Sequence, residues 1–131
     1  MINLFFEGRI KNRKKYEAFA CDVINELLPR EFKREIDIHV RFAKDIGACG
    51  WCHLEDEDLI AIEIDTLYDA DEVAQTLAHE LVHAKQYIRG EINGDMTRWM
   101  KQEIVGDLKY KDQPWEVEAF EKEKWLKEMY W

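Results

Sequence analysis

The stretch DADEVAQTLAHELVHAKQYIRG, Asp69 to Gly90, carries two signals at once. Val73, Leu77, Leu81, Ala84 and Ile88 recur at three- and four-residue spacing, the apolar stripe of a helix anchored on a core. Asp69, followed three residues later by Glu72, is a capping-box-like start, and Gly90 after Arg89 suits a stop. The spacing predicts a helix from about Asp71 to Arg89. Inside it lies His79-Glu80-Leu81-Val82-His83, the H-E-x-x-H pattern. Residues four apart share a helix face, so both imidazoles can direct a nitrogen at one ion about 2 Å away. Glu80 sits about 100° round from His79, where it can reach a water beside that ion. The plainer reading is a surface helix with two unrelated histidines, and the apolar stripe argues against it.

Working outward, Tyr16, Phe19, Ala20, Val23, Ile24, Leu27 and Leu28 mark an amphipathic helix between Ile10 and Leu28, stopped by Pro29. Its basic run, Lys11, Arg13, Lys14 and Lys15, reads as a solvated face before it reads as a contact for an acidic partner. Ile36, Ile38, Val40 and Phe42 alternate with Asp37, His39 and Arg41 in a half-buried strand. A second strand is expected over Ala48 to Leu54 and a third over Leu59 to Ile64, joined by the acidic turn Glu55 to Asp58. Glu91 to Gln113 shows no clear period and reads mostly as loop with room for a short helix. Pro114 can open a last helix that runs to about Tyr130. The expected fold class is α+β: an N-terminal helix, a small sheet of three strands or four, the H-E-x-x-H helix and a C-terminal helix.

The chain has 131 residues, suited to a single domain over 1–131, and 47% hydrophobic content suffices for a core. With 28 acidic and 19 basic side chains its net charge is −9, which repels phosphate backbones, so nucleic acid is not an expected partner. No apolar run approaches the ~18 residues of a membrane span and no export signal is visible, so no membrane partner is expected and the expectation is a soluble cytoplasmic protein. Three cysteines, Cys21, Cys49 and Cys52, fit a reducing compartment. Cys21 falls on the apolar side of the first helix and is expected in the core.

A catalytic zinc takes three protein ligands and keeps one position for water, so two histidines need a third donor. On a wheel of the last helix Trp115, Ala119, Leu126 and Tyr130 define the buried arc, and Glu116 falls at its edge. Glu123 shares that side; Glu118 lies farther round, nearer Trp125 and Lys122. With these residues in view, the sequence resembles the zincin metallopeptidases, and among them the gluzincins, whose third ligand is a Glu on a later helix. Several such families carry Ala three positions after that Glu, a spacing that Glu116 and Ala119 match. The order of elements is similar to short single-domain zincins, including SprT-like and phage-encoded zinc peptidases. The span from His83 to Glu116 is longer than in thermolysin-like enzymes, and Lys85 stands where many zincins carry an apolar residue.

The resemblance implies a zinc-dependent endopeptidase with one Zn²⁺ per chain on His79, His83 and Glu116. In that role the metal would acidify its water and polarise a carbonyl, and Glu80 would move the proton to the leaving amine. Tyr110 is a candidate stabiliser of the transition state, although a surface tyrosine is the plainer reading. By the same resemblance a protein or peptide substrate would add to an outer strand, Leu59 to Ile64 or Ala48 to Leu54. One rival is a zinc-bound domain of this fold that binds a partner without catalysis. The other uses Cys49-Gly50-Trp51-Cys52-His53, which fits haem attachment or a dithiol redox pair. A second zinc site on Cys49, Cys52 and His53 or His39 is conceivable by donor type, and two reduced strand thiols are the plainer reading. The five tryptophans read as core and cleft walls rather than as a ligand surface.

Overall fold

The computed structural model describes residues 1–29, 33–104 and 108–131. In chain order these form β1 (Ile2–Gly8), α1 (Arg13–Leu27), β2 (Ile36–Ala43), β3 (Gly50–Asp56), β4 (Leu59–Asp65), α2 (Ala70–Ile88), the short β5 (Arg98–Trp99) and β6 (Gln102–Glu103), a 3₁₀ turn at Tyr110–Asp112, and α3 (Pro114–Tyr130). The α+β class is as expected, and the sheet has four strands in the order β1-β2-β4-β3. β1, β2 and β4 run parallel, while β3 pairs antiparallel with β4 through the expected hairpin.

The period-two pattern decides which face is covered. Ile36, Ile38, Val40 and Phe42 of β2 and Ile60, Ile62 and Ile64 of β4 are buried on one face, where Tyr16 of α1 stacks on Phe42 at 5.7 Å between ring centroids. Each such side chain contributes roughly 1.5–3 kcal/mol when fully buried. The opposite face carries exposed His39, Arg41 and His53. Helices therefore cover one side of the sheet.

β1 was not foreseen. Leu4, Phe5 and Phe6 are consecutive apolar residues without alternation, and the strand earns its place through register: Ile2, Leu4 and Phe6 lie opposite Ile36, Ile38 and Val40. At its end Gly8 has φ +95°, and a Cβ there would stand 2.0 Å from the carbonyl oxygen of Phe42, so a side chain does not fit. Leu59 to Ile64 is not an outer strand: β4 is paired on both sides, and the edges are β1 and β3. Cys21 is exposed rather than in the core, one position past the buried Phe19–Ala20 pair. The Glu91 to Gln113 region holds the β5–β6 hairpin and the 3₁₀ turn, with 105–107 outside the described residues.

The stripe of α2 is buried as expected, but the whole run from Ala78 to Ile88 is buried too. The sheet, α1 and α3 all pack on this helix, which leaves its second half no solvent face. Asp69 caps it, accepting a hydrogen bond from the Glu72 amide at 2.9 Å. α3 begins with Pro114 in its first turn and packs Trp115, Ala119 and Leu126 inward. Among the described residues no helix is long and apolar enough to cross a membrane.

Candidate metal centre

His79 and His83 project from the buried half of α2 toward the first turn of α3, their rings 4.9 Å apart and nearly perpendicular. Glu116 meets them there. Its Oε1 lies 2.8 Å from His79 Nε2 and 3.0 Å from His83 Nε2. All three residues are buried, and one ligand atom from each lies within 4.8 Å of the others; among the described residues this is the one three-donor cluster of His, Cys, Asp or Glu. Ligands at about 2.0–2.2 Å around a tetrahedral ion stand roughly 3.3 Å apart, so the two contacts of Glu116 with the rings are each within about half an ångström of that spacing. The donor set fits a metal ion, and its two nitrogens and one oxygen are the set of a site that keeps a position open.

The surroundings orient the rings. Gln86 accepts a hydrogen bond from His83 Nδ1 at 2.8 Å, while its Nε2 donates to the Trp115 carbonyl and to Glu118 Oε1, both at 2.9 Å. Because both acceptors take the Gln86 amide nitrogen, its amide oxygen faces His83 Nδ1, and His83 Nε2 is left to point at the centre. Glu123 Oε1 stands 3.6 Å from His79 Nδ1, longer than a hydrogen bond but close enough to attract the ring. Phe120 packs edge-on against the other side of His79 at 4.8 Å. Sequence reading assigned Gln86 and Phe120 no part and noted Glu123 only for its helix side. The available signals were spacing: Gln86 is three residues after His83, and Glu123 is two turns after Glu116.

The three groups shift one another's protonation. Burial is the largest single influence and would lower both histidine pKa values, but the bonds to and charge of Glu116, the Glu80 carboxylate and, for His79, Glu123 together outweigh it, so both are raised, His79 to about 10. Burial pushes Glu116 up and the two imidazoles more than reverse this, holding it at about 2. Glu80 is buried as well, and burial raises its carboxyl while the two histidines pull it down. It makes no hydrogen bond or ion pair among the described residues.

Glu118, the other carboxylate considered, is engaged elsewhere. It accepts from Lys85 Nζ at 2.8 Å and Lys122 Nζ at 2.7 Å as well as from Gln86. Lys85 is buried and also binds Glu91 at 2.7 Å, which explains a lysine at a position inside the core. Tyr110 lies at the rim, 59% exposed, its ring 5.9 Å from that of Phe120. Burial of its hydroxyl and the Glu116 and Glu80 carboxylates raise its pKa.

Cys49 is exposed ahead of β3, whereas Cys52 is buried, with its thiol pushed well up by burial and then by Glu80 and Glu116. Neither stands at a helix start, where a dipole would lower a thiol pKa. His53 falls on the opposite face of β3 from Cys52 and is exposed, so those two donors do not converge. In comparison with known proteins, the chain matches no family model, no curated protein and no solved structure.

Proposed function

We propose that this chain is a zinc-dependent endopeptidase of the zincin kind. The observation that carries the reading is a three-donor cluster of His79, His83 and Glu116 with a buried carboxylate, Glu80, one residue from the first donor and free of hydrogen bonds among the described residues. A divalent ion held by those three groups would polarise a substrate carbonyl and acidify a water. Glu80 accepts the water proton at its carboxylate and returns it to the leaving amine; its burial keeps its pKa raised, toward the range in which one group both takes and gives a proton. Glu123 and Gln86 hold the two rings in position through Nδ1. Tyr110 at the rim donates to the oxygen that gains charge. Substrate adds as a further strand to the open edge of β3, the one of the two outer strands that neighbours α2.

Metal analysis of the purified protein should return about one zinc per chain. Cleavage of an unfolded protein should be chelator-sensitive and should disappear in Glu80→Gln while zinc is retained. Zinc without any cleavage across a peptide library would replace the peptidase with a zinc-bound binding domain. Activity that depends on Cys49 and Cys52 with zinc retained would favour the redox reading.

A further inference from the structure

A cleft of about 830 Å³ opens at the carboxyl ends of the three parallel strands, away from the metal centre. Gly8 closes β1 there, Lys44 follows β2 and Thr66 follows β4, and α1 starts on its rim. In sheets with parallel strands this end is where strand termini and helix starts leave a crevice for a ligand. Arg9, Lys11, Arg13, Lys15 and Lys44 all line it, against the single acidic side chain of Asp71. The chain as a whole carries −9, so five cations gathered on one cleft run against its overall charge.

Their pairing is more telling than their number. Arg13 is committed to the carbonyls of Phe6 and Gly8 and to Glu17, and Lys15 sits 4.0 Å over the Trp131 ring. Arg9, Lys11 and Lys44 have no carboxylate partner among the described residues. Asp71 already accepts a hydrogen bond from Trp131 Nε1 at 3.2 Å. α1 begins at Asn12, in a left-handed conformation with φ 61°, without a side-chain cap and without an acid in its first turn. Its first amides therefore add a positive end to the same rim. Thr66, also lining the cleft, has a hydroxyl that is buried with no hydrogen-bond partner among the described residues, an unmet polar group of the kind a ligand satisfies.

We propose that this cleft binds a tetrahedral oxyanion, a phosphate group that is either free or carried by a small organic molecule. Arg9, Lys11 and Lys44 supply the charge, and the α1 amides supply directed donors. The aromatic side chains of Tyr68 and Trp131 line the wall that an organic portion would meet. The site is independent of the metal centre: Asp71 and His79 are eight residues apart on α2, about 12 Å along its axis.

The full chain is titrated with inorganic phosphate, and separately with adenosine monophosphate, at constant ionic strength, and backbone amide shifts are followed by NMR. Saturable shifts confined to residues 9–15, 44 and 66 are expected. Affinity should fall about tenfold or more in Lys11→Ala/Lys44→Ala, whose two side chains are exposed and free of partners, so the fold is unaffected. Tighter binding of the nucleotide than of phosphate would support the site with an organic phosphate as ligand; equal binding would support it with the free ion. Shifts that do not saturate, that chloride reproduces, or that persist unchanged in the double variant would overturn the proposal. Because the readout is local to the cleft, its failure leaves the peptidase reading untouched, and loss of zinc or of cleavage leaves this one untouched.

Discussion

Glu116 and Glu118 stand two residues apart on one helix and both are held at about 2, yet by different chemistry. Glu116 turns toward two imidazoles, each able to exchange its proton for a metal ion. Glu118 turns toward two ammonium groups, Lys85 and Lys122, which have no lone pair to offer a metal. Gln86 touches both sides, accepting from His83 and donating to Glu118. A carboxylate with a lowered pKa is thus not by itself a mark of a site; what distinguishes the pair is the identity of the partners. α3 carries a candidate metal ligand on one face and a charge clamp that docks it to α2 on the other.

On the proposed zinc-peptidase reading, the largest effect expected is in Glu80→Gln, which should lose on the order of 10²–10⁴-fold in rate with metal content unchanged. Next comes Glu116→Gln, which should lose zinc affinity by more than the 10–100-fold typical of outer partners, read by competition with a chelator. Glu118→Gln should keep its zinc; if instead it is the variant that empties, the assignment of the two carboxylates is reversed. Gln86→Ala and Glu123→Gln should each weaken zinc binding by about 10–100-fold, with Glu123 at the lower end because its contact is long.

The clamp is measured by stability. Glu118→Gln leaves the buried Lys85 with Glu91 alone and should cost about 1–3 kcal/mol in denaturant unfolding. The smallest effect is its pH dependence, compared between the two chelator-treated proteins. Glu118 has a folded pKa depressed to about 2 from an ordinary 4.5. Its contribution is therefore complete above about pH 4.5 and is lost as pH falls from there through about 2. The stability gap between wild type and Glu118→Gln should close over that window, and a gap that stays constant would show that the clamp is not ionic.

Much of this was legible in the chain. Helix period, a cap at Asp69 and Pro114 at a helix start are local signals, and α2 and α3 fall where those residues indicate. Register and sheet order are not local: β1 lacks a period of its own, and the interior position of β4 depends on which strands meet across the sheet. Cys21 shows the limit of a wheel, since one residue beyond the buried arc is enough to expose it.

For the centre, sequence alone determined that two imidazoles share one helix face with a carboxylate beside them, because four residues make about one turn of any α-helix. It also narrowed the third donor to the inward side of the last helix. Only tertiary structure decided that Glu116 reaches both rings while Lys85 takes Glu118, because that choice depends on how two helices separated by residues 89–113 are set against each other. The same packing placed Glu123 behind His79 and gathered the unpaired cations of Arg9, Lys11 and Lys44 on one cleft, contacts that no spacing along a single element encodes.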